Sequence, residues 1–380
     1  MAQRMDVVAI FDTVSGHRLG RLPAQSWKWS RKVSRSGSLE VTVRLTQDVV
    51  GLDLRERTRP WRTVLAVVSG NRILAAGPIY KRSWDADSEE LSISCGDCLD
   101  LLKRRLVLPV AQRNYPGGEI QGSDGKWPLG WSINLTGTLS DIAASLVRIS
   151  LIHGRLPIVL PSPVGGSNER NYHGPDLATV ASRLQDLSEV ISGPEFLFQP
   201  RLVNGGDRME WHMLIGDPEL MLAEHTWDAR NRRHPMVKLS VEEDASDMVS
   251  DAWERGGNQE DLTVLGRYHD PWLEEAGWPL LQSAGTSHSS ASELSTLTAY
   301  AKAATVQRSH STEVVSLAVR RIDEGGYLLG DTVTPGDHVL LRMADPYMGN
   351  NLLGLKVLET SGDKGDWITC ACRELIDPDI

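Results

Sequence analysis

GPIYKRSWDADSEELSISCGDCLDLLKRRLV, residues Gly77–Val107, is the stretch whose reading decides the fold. Ile79–Trp84 has the composition of a strand, and Asp85-Ala86-Asp87-Ser88 is a polar turn. Leu91, Ile93 and Cys95 then alternate with Ser92 and Ser94, the period of a half-buried strand. From Asp97 the period lengthens. Leu99, Leu101, Leu102 and Leu106 make a helical stripe that ends in Lys103, Arg104 and Arg105. A strand pair running straight into a short helix can cap one end of a small β-barrel. The stretch holds no recognisable catalytic chemistry, so the expectation is an architectural part rather than an enzyme.

Upstream, the sequence continues in short strands. Val7–Phe11 opens, Trp27-Lys28-Trp29-Ser30 alternates, and Leu39, Val41, Val43 and Leu45 alternate with Glu40, Thr42 and Arg44. Thr63–Val68 and Arg72–Ala76 flank Ser69-Gly70-Asn71, a hairpin turn. Six or seven strands with one helix at this spacing fit a small barrel or sandwich.

Downstream, residues 109–138 read as loop, with Pro116-Gly117-Gly118 and Gly122-Ser123-Asp124-Gly125. Thr138 with Asp141 resembles a capping box, and Leu139, Ile142, Leu146 and Ile149 form the stripe of a helix with Gly154 as its C-cap. Pro161–Gly166 is a linker. A second helix is expected from Pro175, on Leu177, Val180, Leu184 and Leu187. A hairpin follows: Phe196 and Phe198 on one arm, Asn204-Gly205 at the turn, and Met209, Trp211, Met213 and Ile215 on the other.

The last third returns to strands at Val237-Leu239-Val241, Val314–Val319, Thr332–Val333, Val339–Met343, Leu353–Glu359 and Trp367–Cys372. A polar tract from Ser283 to Ser292 and a helix carrying Leu294, Leu297 and Ala301 interrupt them. The expected fold class is α+β, mostly β. Two small β-barrel domains, residues 1–108 and 226–380, flank an α/β middle domain of residues 109–225, with a helical insertion at about 270–308 near the second barrel.

With 380 residues the chain is too long for one ordinary core. Its 41% hydrophobic and 24% charged residues are those of a soluble globular protein. A formal charge of −10 makes the whole chain a poor match for a phosphate backbone. The basic clusters Arg31-Lys32, Lys103–Arg105 and Arg230-Arg232-Arg233 are expected as solvated or salt-bridged faces. There is no apolar run long enough to span a membrane, and the N-terminus has no signal-peptide core, so no membrane-spanning segment is expected. Twelve Trp against three Phe mildly favour assembly, because indole combines apolar area with an N–H donor.

Four cysteines are too few for a disulfide scaffold, and burial alone explains Cys95, Cys98, Cys370 and Cys372 better than a zinc site does. No nucleophile elbow, Walker loop, dinucleotide fingerprint or HExxH pair occurs. Gly165-Gly166-Ser167 and Gly256-Gly257-Asn258 are turn punctuation. His225, His234 and His269 lie near acids without ligand spacing. The carboxylates Glu242-Glu243-Asp244 and Glu274-Glu275 could serve a glycosidase only if the fold brought two together, and are expected as solvated faces. No catalytic, cofactor-binding or metal-binding residue is expected, and no cofactor.

In this order of parts the chain resembles the minor tail proteins of actinobacterial siphophages, of the baseplate-hub (tail-hub) family of tailed phages. Four stretches carry the likeness: residues 77–107, NYHGPDLATVASRLQDLSEVISGPEFLFQP (171–200), MEWHMLIGDPEL (209–220) and GYLLGDTVTP (326–335). The resemblance implies a homotrimer in the virion tail tip, assembled in the host cytoplasm. Three subunits would present six similar barrels to a six-fold tail tube and support three-fold tip or fibre proteins. The implied partners are the distal tail protein or tail tube, the tape-measure protein and the tip or fibre proteins, with DNA passing only transiently through the lumen. Many such hubs continue into a peptidase or fibre extension; because this chain stops at Ile380, no lytic module is expected. The rival expectation is a carbohydrate-active or host-surface-binding tail protein.

Overall fold

Alternation in the first hundred residues becomes strands β1 (Asp6–Asp12), β2 (Arg18–Leu22), β3 (Ser26–Lys32), β4 (Arg35–Arg44), β5 (Thr63–Ser69), β6 (Arg72–Asp85) and β7 (Glu90–Cys95). The computed structural model describes residues 6–46, 51, 53–120, 122–123, 128–190, 192–230, 236–259, 262–288, 293–322 and 329–375. The expected strands at 72–76 and 79–84 are one strand. Arg72–Pro78 of β6 pairs with β5, and Ile79–Asp85 pairs with β7. Gly77 and Pro78 mark the change of partner. A Cβ on Gly77 would lie 1.6 Å from the Gly96 carbonyl oxygen, so only glycine lets the two backbones approach.

The helix expected after Asp97 is Cys98–Leu102. The Asp97 carboxylate accepts from Leu99 N (2.8 Å) and the Asp100 carboxylate from Asp97 N (2.9 Å), a capping box with aspartate at both ends. Leu106 lies beyond the helix and is exposed, forming an isolated bridge with Thr179. Cys98, Leu99, Leu101 and Leu102 enter one hydrophobic core with Phe11, Leu146, Val180, Leu184, Trp211 and Met213. At about 1.5–3 kcal/mol per fully buried large side chain, this shared core welds the first third to the middle of the chain.

In that middle, β8 (Ser132–Gly137) and β10 (Asn168–His173) pair antiparallel, while β11 (Phe196–Val203), β12 (Arg208–Ile215) and β9 (Ile158–Val159) form a second small sheet. β8 lies inside the expected loop. Its SINLTG and the NERNYH of β10 carry little alternating apolar signal, with Ile133 and Tyr172 as their large buried side chains. Helix Leu139–His153 is as expected, with Thr138 Oγ1 accepting from Asp141 N at 3.0 Å. The helix expected from Pro175 starts at Val180 instead. Pro175 sits in a single 3-10 turn, Leu177 takes φ 50°, and Thr179 caps helix Val180–Ser188.

The remaining strands are β13 (Glu224–Asp228), β14 (Val237–Asp244), β15 (Asp251–Gln259), β16 (Leu262–His269), β17 (Gln282–His288), β18 (Thr312–Arg320), β19 (His338–Asp345), β20 (Gly349–Asp363) and β21 (Trp367–Glu374). The strand expected at Thr332–Val333 is a 3-10 turn, Gly330–Thr332, and the first residues of the 326–335 stretch lie outside the described residues. Thirteen strands form one sheet in the order β14-β18-β21-β20-β3-β4-β7-β6-β5-β1-β2, with β19 and β13 branching from β20. The first and last thirds therefore share a sheet, joined where Glu359–Asp363 of β20 meets Lys28–Lys32 of β3. Among the described residues the pairings form an open path and no closed barrel is found.

The chain makes two compact units, Met1–Leu239 with Ser316–Ile380, and Ser240–Val315. The expected division into 1–108, 109–225 and 226–380 cuts the chain differently, since residues 226–380 take in all of the smaller unit and part of the larger. The smaller unit is more than the helical insertion expected at 270–308. It holds the three-stranded sheet β16-β15-β17 and helix Leu294–Gln307, packed through Val249, Ala252 and Ala301. The sequence DAWERGGNQ of β15 gives no regular alternation to announce it.

Candidate functional site

The four cysteines are free and buried. Burial pushes the Cys372 thiol up to about 12 and raises Cys95, Cys98 and Cys370 as well, so each behaves as a small apolar side chain. Among the described residues no group of His, Cys, Asp and Glu could hold a metal ion. His225 bonds Asp337 and His269 bonds Glu274, each at 2.9 Å, and His234 lies outside the described residues. Glu242, Glu243 and Asp244 are exposed; Glu274 is half-buried and accepts from Ser250 Oγ at 3.1 Å.

The basic clusters divide. Lys103 pairs with Asp100 at 2.7 Å and Arg230 Nε with Asp228 at 2.9 Å, while Arg232 and Arg233 lie outside the described residues. Lys32 is half-buried and pairs with Glu359 at 3.0 Å. Arg31 does not belong with these, because it is only 7% exposed. The signal for this is the period of two: Trp27, Trp29 and Arg31 share the inward face of β3.

Arg31 opens onto a cavity of about 520 Å³ within the larger unit, lined also by Trp29, Arg72, Gln199, Arg201 and Asp337. Its guanidinium donates to Gln199 Oε1. Burial lowers it to about 10, and the charges of Asp97 and Asp337 oppose that shift. Asp337 is buried and already engaged, accepting from Thr334 N (2.8 Å), Ala223 N (3.2 Å) and His225 Nε2 (2.9 Å). A second carboxylate of the lining, Asp331, accepts from Ser69 Oγ at 2.6 Å and from Arg321.

Two buried cations tie distant segments together. Arg321, 1% exposed, bonds Asp331 and, at 2.7 Å, Asp6 of β1. Lys356 of β20, with no exposed side-chain surface, donates to Glu195 at 2.6 Å and to Glu219 at 2.9 Å. At one end of the large sheet, β2 (RLGRL) pairs with β1, and its Arg18 and Arg21 are the charged residues that discourage indiscriminate strand addition.

Tryptophan separates the two units. Trp27, Trp29, Trp211 and Trp227 are buried in the larger one, where Trp61 and Trp84 are exposed. The smaller unit exposes Trp253, Trp272 and Trp278, with the last two rings stacked at 6.3 Å between centroids. Trp127 lies outside the described residues.

No protein-family model matches the chain, and no curated protein sequence matches it. Solved structures do. The 43 kDa tail protein of prophage MuSo2 from Shewanella oneidensis is similar over 97% of this chain and 98% of that one, with a TM-score of 0.53 and 11% identity. The tail protein from Neisseria meningitidis MC58 is similar over 97% of this chain and 96% of that one, with a TM-score of 0.51 and 16% identity. Over nearly its whole length, this chain has the fold of these two tail proteins.

Proposed function

We propose that the chain is a structural, non-enzymatic component of a siphophage virion tail tip: a baseplate hub that adapts a six-fold tail tube to three-fold tip or fibre proteins. The observation carrying this is the likeness to two tail proteins, one of them from a prophage, over nearly the whole of both chains. In this reading the partition into 1–108, 109–225 and 226–380 describes two barrel-like parts around a mixed one. Three copies close a ring around a channel for DNA, with the tube, the tape-measure protein and the tip or fibre proteins as neighbours. The thirteen-stranded sheet supports it, since β3 and β20 bring the first and last thirds into one framework. The net charge of −10 suits a lumen that repels DNA phosphates.

Two experiments test this. Light scattering on the purified chain is expected to give three times the monomer mass, and a strict monomer at every concentration refutes self-closure. Deleting the gene is expected to leave particles without a completed tail tip; normal infectious particles overturn the reading.

A second reading, host-surface binding, is favoured by one observation: Trp253, Trp272 and Trp278 of the smaller unit are all exposed. Soluble protein that coats host cells through these residues would establish it.

A further inference from the structure

We propose that the cavity beside Arg31 is a binding site for an oxyanion, the carboxylate or phosphate group of a small molecule. Arginine carries five N–H donors in a planar fork matched to two-oxygen anions. Among the described residues, the buried Arg31 fork has one hydrogen-bond partner, Gln199. The unused donors of the fork are not among the buried atoms left without a partner, so they are open to an occupant of the space beside them. On its other side, beside Asp97, Arg31 lines a space of about 20 Å³. That is room for about one water, so anything larger can meet the fork only from the cavity of about 520 Å³.

The rest of the lining points the same way. Arg72 of β6 and Arg201 of β11 border the same cavity from exposed positions, and neither forms an ion pair among the described residues. The two carboxylates of the lining do not compete for these cations. Asp331 is held by Arg321 and Ser69, and Asp337 by His225 and two backbone N–H groups. In a chain of net charge −10, three guanidinium groups around one cavity of about 520 Å³ select for negative charge. The volume lies in the range of small-molecule sites.

The test uses the full-length chain, titrated with inorganic phosphate in one arm and citrate in the other, at ionic strength held constant with chloride. Melting temperature and tryptophan fluorescence are both read. A saturable rise in melting temperature with a fluorescence change is expected, and the arm with the tighter response assigns phosphate or carboxylate. Arg31→Gln is expected to abolish the response. Because that variant removes a buried group and can fail to fold, the exposed pair Arg72→Ala/Arg201→Ala is the second variant. It should fold normally and bind at least about tenfold more weakly, the size of one lost charge-assisted hydrogen bond. Equal responses in the wild type and the folded double variant, or no saturable response to either anion, overturn the proposal. The tail-hub reading stands or falls separately, on mass and particle morphology.

Discussion

Trp29 of β3 lies directly opposite Gly362 of β20, and a Cβ on that glycine would come within 3.1 Å of the indole Cζ2. The first and last thirds of the chain thus meet where an indole ring lies against bare backbone. Trp29 is buried and lines the cavity beside Arg31, so it can yield to a methyl only by shifting its ring. Gly362→Ala is expected to destabilise the protein by about 1–3 kcal/mol, the usual cost of overpacking. Denaturant unfolding reads this directly, and an unchanged midpoint would show that Trp29 can swing aside.

Gly77→Ala is the more severe case. The new methyl would collide with backbone, the carbonyl of Gly96, rather than with a movable side chain. That contact sets where β6 leaves β5 for β7 and where the Asp97 capping box begins. A loss above about 4 kcal/mol, visible as insoluble expression or a lost unfolding transition, is expected.

Lys356→Ala removes the shared partner of Glu195 and Glu219. Breaking a buried ion pair typically costs about 3–5 kcal/mol; water reaches both glutamates, so about 3 kcal/mol is the expectation. The hydrogen bond from Lys356 is the largest cause holding the Glu219 carboxyl below its usual value, with desolvation opposing it. Its stabilisation is therefore present above the unfolded pKa and lost as pH falls through the depressed one. Acid unfolding of the variant should lack this component, and identical acid profiles would remove Lys356 from the account.

How much of this was legible depended on the range of the interaction. Local periodicity located β4, β5, β12, β19 and β21, and the residue types at Thr138 and Asn204-Gly205 located a cap and a turn. The single strand β6 was split in reading because Gly77-Pro78 looks like punctuation, yet a strand can exchange partners there. The pairing of Lys32 with Glu359 had no sequence signal, since it joins residues from opposite ends of the chain. Arg31 shares the period of Trp27 and Trp29 and is buried with them, whereas its charge beside Lys32 points to a solvated face.

Trp272 and Trp278 stack on each other at the surface of the smaller unit. Replacing both by alanine is expected to cost about 2–4 kcal/mol of stability, since about half of each indole is covered and the pair itself adds about 1. If the unit touches a host surface, the same variant should lose cell coating while remaining folded. Coating at wild-type levels would detach these rings from any binding role.

Asp97 offers a test by pH. Desolvation raises its carboxyl to about 7, opposed by the N–H donors of Gly37 (2.6 Å) and Leu99 (2.8 Å) and reinforced by the charge of Asp100. A raised value means that the native protein holds this proton more tightly than the unfolded chain, whose aspartate titrates near about 3.9. The contribution to stability is fully present below the unfolded value, declines as pH rises, and is gone above about 7. The residue keeps some exposed surface and both carboxylate oxygens accept backbone N–H groups, so the decline should be about 1–2 kcal/mol rather than the full shift. Asp97→Asn, which cannot titrate, should lack this decline, so the urea midpoint of the wild type should fall relative to that of the variant between about pH 4 and pH 7.5. Parallel curves across that window would mean that Asp97 is ionised throughout, held so by its two backbone donors.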